Sequence, residues 1–173
     1  AQVDWKTARV VVTGGSGFLG RHVIEGLNAR GVTEDRIFVP RSKDYDLTEH
    51  VSCEALYKEA FPGEQGDVMI HLAAEVGGIG ANRENPGRYF FANMAMALHL
   101  IEEARKDGFA ERGAQFVQTG TICAYPNLTP VPFKEENLWE GYPEVTNAPY
   151  GVAKKAAWQM LDAYRLQYGM KRA

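Results

Sequence analysis

The sequence predicts an α/β fold of the Rossmann type, in which a doubly wound parallel sheet carries helices on both faces. Short runs of β-branched residues alternate with segments of helical period, which is typical of parallel strands buried between helices. The first such run leads directly into the glycine-rich string "TGGSGFLG" at 13–20. Because 173 residues supply apolar material for one core of ordinary size, a single domain is expected.

The individual elements follow from periodicity and from the residues that end each run. The string "ARVVV" at 8–12 favours a strand, and Leu19 begins a helical pattern that Gly31 ends. Gly169 is expected to end the last helix in the same way. The predicted strands are 8–12, 36–40, 67–73 and 114–120, and the predicted helices are 19–30, 87–107 and 150–168.

One long stretch, 121–149, has no clear period and holds five of the eight prolines. Irregular segments of this length inside a compact domain usually line a functional site. A mobile surface loop is the alternative interpretation. We therefore expect this stretch to border a binding or catalytic site.

Composition excludes several classes of function. The net charge of -3 and the scattered basic residues favour neither a nucleic-acid partner nor a membrane partner. Two cysteines and four histidines, with no short spacing among them, predict neither a disulfide framework nor a metal site. The sequence contains no run of 18 apolar residues and no leader pattern. A soluble cytoplasmic protein is expected.

The glycine turn has the spacing and the context of a dinucleotide-binding site. Gly14 permits a tight turn, Gly17 lets the backbone approach a pyrophosphate, and Gly20 lets the helix pack closely. The helix that follows offers unpaired N–H groups and a positive dipole end to phosphates. The residues predicted to contact the cofactor here are Gly14, Gly15, Ser16, Gly17, Phe18, Leu19 and Gly20.

Arg41 predicts NADP as the cofactor, with NAD less favoured. A carboxylate about 20 residues beyond the last glycine holds the ribose of NAD, whereas an arginine there accommodates the extra phosphate of NADP. In this chain Arg41 stands at that distance, and the first acidic residue is Asp44. A solvated loop arginine is the alternative interpretation.

Tyr150 and Lys154 lie four residues apart at the start of the last predicted helix, and so share one face. A phenol with a pKa of about 10 carries protons poorly at neutral pH, and a nearby ammonium lowers that value. Thr121 ends the fourth strand, where ligands of doubly wound sheets bind. Together these three residues predict an acid-base site, although a Tyr/Lys pair by itself is also ordinary helix surface.

The chain resembles the extended short-chain dehydrogenase/reductase family. Its motifs fall in the family's order after the glycine turn, and longer strings resemble the GDP-L-fucose synthase branch. These strings are "HLAAEVGGIGAN" at 71–82, "TGTICAYP" at 119–126 and "TNAPYGVAKKA" at 146–156, with Asn93 in the middle helix. The resemblance implies a GDP-sugar as substrate and NADPH as reductant.

The resemblance also implies roles for four catalytic residues. Tyr150 is expected to protonate the ketone oxygen, and Lys154 to tune the phenol and hold the cofactor ribose. Thr121 stands where the family commonly has serine and keeps its hydroxyl. Cys123 matches a cysteine that removes a proton from the carbon beside the ketone, for which its thiol needs a lowered pKa. A small buried hydrophobe is the alternative for Cys123.

The remaining cofactor contacts rest on the same resemblance. "DYDL" at 44–47 matches the position where an Asp-Leu pair meets the adenine, while 75–82 is expected to form a glycine-rich flap. His71 is interpreted as a satisfied strand residue and not as a catalyst. The implied contacts are Asp46, Leu47, Leu72, Ala73, Ala74, Asn93, Thr119, Gly120 and Lys154.

Family members are longer than this chain, which predicts that residues 1–173 are the amino-terminal NADP-binding part of an enzyme, with the substrate domain absent. The family's partner acid, a histidine, has no counterpart among these residues. The fourth strand, 114–120, is then expected to be an exposed sheet edge. A homodimer follows by analogy. The alternatives are another sugar-nucleotide epimerase or dehydratase of this fold, and an inactive cofactor-binding fragment.

Overall fold

The computed structural model describes residues 3–62 and 67–173. Its strands are β1 Val10–Thr13, β2 Ile37–Phe38, β3 Val68–His71, β4 Gln115–Gln118 and β5 Lys171–Arg172. Its α-helices are α1 Phe18–Ala29, α2 His50–Ala60, α3 Ile79–Glu84, α4 Pro86–Lys106, α5 Phe109–Arg112 and α6 Ala148–Tyr168. The strands form one parallel sheet in the order β2-β1-β3-β4-β5. The predicted Rossmann-type architecture is confirmed.

Two hydrophobic cores lie on opposite faces of this sheet, because successive side chains of a strand point to opposite sides. Val11, Met69 and Phe116 face a large core that they share with residues of α2, α4 and α6. Val10 and Val12 face a smaller core completed by α1. Among the described residues, α1 therefore covers one face, and residues of α2, α4, α5 and α6 cover the other.

The strand order places a crevice between β1 and β3. The chain leaves β1 toward β2 on one side, and then crosses back to β3 on the other side. In parallel sheets, ligands bind beyond the carboxyl ends of the strands at such a switch point. The glycine turn follows β1, and 72–74 follow β3, so both predicted cofactor segments border the crevice.

Helix α2 was not predicted, although the sequence carries its signal. Its buried residues Cys53, Leu56, Tyr57 and Ala60 follow the helical spacing of three and four residues. The polar residues between them obscure the pattern. For the strands and helices that were predicted, the bounds differ from the observed ones by a few residues.

The expectation that β4 would be an exposed edge is wrong. Residues Lys171–Arg172 form β5 and pair with Gln115 and Phe116 of β4. The amide of Gln118 also donates to the carbonyl of Ala173, at 2.9 Å. A turn at Gly169, with φ of 75°, directs the chain back to the sheet. A polar strand of only two residues leaves no recognisable pattern in the sequence.

The irregular segment 121–149 is observed as predicted, with two short 3-10 turns at Ile122–Ala124 and Glu135–Trp139. The predicted glycine-rich flap at 75–82 is only partly irregular, because α3 begins at Ile79. Within the described ranges 3–62 and 67–173, no helix combines the length and apolar character that a bilayer span requires.

Candidate cofactor and catalytic site

The glycine turn is built by close contacts that a side chain would obstruct. Gly14 has a φ of 70°, in the left-handed region that favours glycine. A Cβ atom at Gly14 would lie 2.9 Å from the amide nitrogen of Ala73, and one at Gly20 would overlap the carbonyl of Gly14. The sequence prediction for Gly14 and Gly20 therefore agrees with this geometry. The first turn of α1, after Gly17, has no side-chain cap.

A cleft of about 460 Å³ runs from this turn along the sheet edge. Such a volume lies within the usual range for small-molecule sites. The cleft brings together the glycine turn, the segment after β2 and the segment after β3. Predicted cofactor residues among its lining are Gly14, Ser16, Arg41, Asp46, Leu47, Ala73 and Ala74.

The predicted cofactor residues near this cleft differ in their surroundings. Arg41 is exposed to solvent. The carboxylate of Asp46 accepts from the amide and hydroxyl of Thr48, at 3.0 and 2.6 Å, and these bonds lower its pKa. Leu47 is buried in the large core. Phe18 and Leu19 are exposed on the first turn of α1.

Sequence reasoning missed an ion pair on this cleft. The guanidinium of Arg88, on α4, pairs with both carboxylate oxygens of Glu75, at 2.6 and 3.0 Å. Both residues line the cleft, and Glu75 raises the pKa of Arg88. The pair joins α4 to the segment after β3 on the wall of the cleft, and no local sequence motif predicts it.

Asn93 supports the cleft from behind and does not line it. Its Nδ2 donates to the carbonyls of Glu75 and Tyr89, each at 2.7 Å, and its Oδ1 accepts from the amide of Glu75 at 3.2 Å. The side chain is buried. It therefore holds the segment after β3 in place, in contrast to the predicted direct cofactor contact.

Thr13 was also missed, and it organises the floor of the turn. Its hydroxyl lies 2.7 Å from Nδ1 of His71 and accepts from the amides of Leu72 and Ala73, both at 3.2 Å. His71 is buried, and burial followed by the charge of Lys154 lowers its pKa to about 3. His71 is thus a neutral, hydrogen-bonded strand residue, as the sequence predicted.

The catalytic candidates converge where β4 meets the start of α6. The Thr119 hydroxyl donates to the carbonyl of His71 at 3.0 Å, and Gly120 leads into the 3-10 turn. A Cβ atom at Gly151 would overlap the carbonyl of Cys123, so α6 rests directly on this turn. The Thr121 hydroxyl accepts from the amide of Cys123 at 3.2 Å.

Tyr150 lies beside both Thr121 and Cys123. Its phenol has a raised pKa, first because of burial and then because of the neighbouring Cys123 sulfur, while the Thr121 hydroxyl opposes the rise. The prediction that Lys154 lowers this pKa is not met in the structure. Burial is the largest of these influences, because the side chain of Tyr150 is half-buried beside Thr121 and Cys123.

Lys154 is the most deeply buried cation of the site. It is only 4% exposed, and burial lowers its pKa to about 8. Its Nζ lies 5.9 Å from the centre of the Tyr150 ring. Together with a hydroxyl and a thiol on the adjacent turn, this arrangement can move a proton and stabilise the charge that remains.

Comparison with known proteins places this geometry in a family. The family described as "NAD dependent epimerase/dehydratase family" matches residues 10–173. A probable GDP-L-fucose synthase of Oryza sativa subsp. japonica is 32% identical over 164 residues, which cover 95% of this chain and 47% of that protein. The GDP-L-fucose synthase of Escherichia coli is 31% identical over 161 residues, covering 93% and 47%.

Solved structures show the same fold. A GDP-mannoheptose C4 reductase from Campylobacter jejuni, described with NADP bound, aligns with a TM-score of 0.85 at 22% identity, covering 99% of this chain and 51% of that one. A UDP-glucose 4-epimerase from Thermus thermophilus, described with NAD, aligns with a TM-score of 0.71 at 27% identity, covering 95% and 53%. The chain spans about half the length of these relatives.

The match over nearly the whole chain agrees with the glycine turn, the crevice between β1 and β3, and the Tyr150 and Lys154 pair on α6. The chain belongs to the NAD-dependent epimerase/dehydratase family.

Proposed function

We propose that this chain is the cofactor-binding and catalytic part of an NADP-dependent nucleotide-sugar epimerase-reductase. The proposed reaction is that of GDP-L-fucose synthase, which epimerises a GDP-4-keto-6-deoxy-mannose beside its ketone and then reduces the ketone. The single observation that carries this proposal is the convergence of Thr121, Cys123, Tyr150 and Lys154 at the end of β4. The names of the relatives support the choice of a GDP-sugar.

The cleft beside the glycine turn fits a dinucleotide. The uncapped first turn of α1 can receive a pyrophosphate, and Gly17 at its N-cap has no side chain to block the approach. Arg41 lines the cleft and supplies a positive charge there, whereas Arg88 is already paired with Glu75. This charge supports NADP over NAD. When bound, the reduced cofactor supplies a hydride to the substrate carbonyl carbon.

The proposed reduction uses Tyr150 as the proton donor. Its raised pKa keeps the phenol protonated at neutral pH, which suits a general acid. The phenol donates to the ketone oxygen, and the Thr121 hydroxyl binds the same oxygen. The ammonium of Lys154, which a pKa of about 8 leaves charged at neutral pH, would hold the cofactor ribose beside this phenol.

The proposed epimerisation uses Cys123. A ketone acidifies the C–H bonds on its neighbouring carbons, because the carbanion's charge spreads onto oxygen. The half-buried Cys123 lies next to Tyr150, so a ketone held by the phenol presents its adjacent carbon to the thiol. As a thiolate, Cys123 can remove that proton. Inversion then requires a second group, which the described residues do not identify, to return a proton to the opposite face of the carbon.

One experiment tests both steps. The protein is incubated with the GDP-4-keto-sugar in deuterated water, with and without NADPH, and substrate and product are examined by mass spectrometry. We expect deuterium beside the ketone without NADPH, and a reduced sugar only with NADPH. Cys123→Ser should lose the exchange, whereas Cys53→Ser, a buried thiol on α2, is the matched control.

NADPH binding without exchange or reduction would refute the proposal and identify a cofactor-binding module without turnover. Exchange that persists in Cys123→Ser would remove that residue from the mechanism.

A further inference from the structure

A chain of three polar side chains ties helix α3 to the start of α6. The Nδ2 of Asn82, on α3, donates to the Oδ1 of Asn147 at 2.9 Å. The Nδ2 of Asn147 in turn donates to the carboxylate of Glu144, also at 2.9 Å. Asn147 immediately precedes α6 and lies three residues before Tyr150. We call Asn82, Asn147 and Glu144 the amide chain.

Glu144 fixes the direction of each hydrogen bond in the amide chain. Its carboxylate also accepts from the hydroxyl and the amide of Thr146, at 2.5 and 3.0 Å, and these bonds lower its pKa. Because a carboxylate can only accept, Asn147 must present its Nδ2 to Glu144 and its Oδ1 to Asn82. Asn82 must then present its Nδ2 to Asn147, which leaves its own Oδ1 without a role in the chain.

This Oδ1 of Asn82 is a buried acceptor with no donor. Within residues 3–62 and 67–173 it meets no hydrogen-bond partner, and the residue as a whole is only 5% exposed. A buried polar atom without a partner lowers the stability of a fold. A leucine of similar shape would avoid this cost, so stability alone does not account for an asparagine at this position.

The side chain of Asn147 is likewise not used to cap α6. An asparagine before a helix commonly accepts a hydrogen bond from an amide of the first turn, but Asn147 makes no such bond. Its Oδ1 and Nδ2 bind Asn82 and Glu144 instead. The amide chain therefore sets where α6 begins relative to α3.

The start of α6 is also held against the 3-10 turn that carries Cys123. A Cβ atom at Gly151 would overlap the carbonyl of Cys123, and the amide of Gly151 donates to the carbonyl of Asn147 at 2.8 Å. Glu144, Asn147 and Cys123 line one small cavity of about 190 Å³. A shift of Asn147 would therefore move Tyr150 and loosen the contact between α6 and the turn of Cys123.

We propose that Asn82 and Asn147 are positioning residues that hold the phenol of Tyr150 and the thiol of Cys123 in their reactive arrangement. Asn82 acts through Asn147, and Asn147 acts through the first turn of α6. Misplacing a reacting group by about 1 Å can cost roughly a hundredfold in rate, so one hydrogen bond at this point has a large effect. The inference deepens the proposed function and rests on it for the roles of Tyr150 and Cys123.

The decisive variant is Asn82→Leu, which removes the bond to Asn147 and keeps the approximate shape of the side chain. Its first readout needs no substrate: alkylation of Cys123 by iodoacetamide at one fixed pH, followed by mass spectrometry of the peptides. We expect alkylation to become about threefold faster or more, because thiol reactivity rises with exposure. Cys53 is fully buried and serves as the internal reference.

The second readout separates positioning from a purely structural role. With the keto-sugar and NADPH, kcat should fall by about tenfold or more while KM and NADPH affinity stay nearly unchanged. The midpoint of urea denaturation should be unchanged or higher, because the buried oxygen without a partner is gone. A merely structural residue would show the reverse, with lower stability and an unchanged kcat for the folded protein.

Two further variants complete the test. Asn85→Leu is the matched control, since Asn85 is exposed and its Nδ2 donates to the carbonyl of Ala81, within α3 itself. It should match the parent protein in both readouts. Asn147→Leu should reproduce the changes of Asn82→Leu, and the double variant should be no slower than either, because both amides act through one bond.

Alkylation of Cys123 at the parent rate in Asn82→Leu would overturn this inference, whether or not the protein turns over. A kcat equal to that of the parent, or effects that add in the double variant, would overturn it as well. A parent protein that binds NADPH but neither exchanges nor reduces the keto-sugar would instead count against the proposed function, and the alkylation rates would still decide whether the amide chain positions Cys123.

Discussion

The ammonium of Lys154 lies 5.9 Å from the centre of the Tyr150 ring, one turn further along the same face of α6. Lys154 is buried and Tyr150 is half-buried, and burial shifts their pKa values apart: that of the phenol rises and that of the ammonium falls to about 8. A protonated acid and a charged stabiliser thus coexist at neutral pH. This pairing suits proton donation to a ketone.

Replacing Tyr150 by Phe should abolish ketone reduction and leave cofactor binding largely intact. The change removes the phenol oxygen but keeps the half-buried ring beside Thr121 and Cys123. NADPH consumption measured with the keto-sugar tests the first effect, and NADPH titration tests the second. Tyr142→Phe, an exposed tyrosine on the 121–149 segment, is the control. Equal turnover in Tyr150→Phe would exclude the phenol as the acid.

Replacing Lys154 by Met should stabilise the unliganded fold. Lowering the pKa of Lys154 from 10.5 to about 8 corresponds to a cost on the order of 3 kcal/mol for holding the charge in the folded state. We expect the free energy of unfolding at neutral pH to rise by about 1–3 kcal/mol, since Met fills similar space without a charge. Urea denaturation measures the difference.

The stabilisation in Lys154→Met should depend on pH in a defined direction. Below a pH of about 8 the lysine is charged in both states, so the full cost is present. Between about 8 and 10.5 the folded protein binds fewer protons than the unfolded chain, so the stability of the parent protein rises toward that of the variant. A difference that widens over this window would contradict the assignment.

Replacing Arg41 by Glu should reduce the preference for NADPH over NADH. An arginine that contacts a phosphate makes a charge-assisted bond, and reversing its charge should weaken NADPH binding by about tenfold or more. NADH binding should change much less. Lys43→Glu alters the charge of an exposed neighbour that does not line the cleft. If both cofactors lose affinity equally, Arg41 does not read the extra phosphate.

Replacing Gly20 by Ala should disrupt the glycine turn. The added methyl would overlap the carbonyl of Gly14, and overpacking of this kind costs about 1–3 kcal/mol. Thermal unfolding and NADPH titration should both show the loss. In the same helix, Gly26→Ala meets only the side chain of Arg30, at 3.5 Å, and should stabilise α1 by roughly 0.5–1 kcal/mol. Similar behaviour of the two variants would contradict the close-contact argument.

Much of the fold was predictable because local patterns and the sheet agree. The β-branched run at Val10–Thr13 and the glycine turn after it are local signals, and both appear where they were expected. Strand β5 was not predictable, because a two-residue polar segment acquires its structure only from pairing with β4. Its presence corrects the expected exposed edge.

In the candidate site, too, some features were predictable from local sequence and others depend on tertiary contacts. The proposed reactive groups were predicted from spacing and from the family resemblance: Thr121, Cys123, Tyr150 and Lys154. The ion pair of Arg88 with Glu75 joins α4 to the segment after β3, and no short-range pattern could reveal it. The supporting role of Asn93 likewise depends on where the chain after β3 folds back.

By itself, the sequence determined which chemical groups this protein carries and in which elements they lie, because residue type and helical or strand period are local properties. The tertiary structure alone decided their environments: the burial that raises the pKa of Tyr150 and lowers that of Lys154, and the hydrogen bond that joins Asn82 to Asn147 at the start of α6. Burial and distance arise from packing between segments far apart in the chain, and these set the electrostatic free energy of each group.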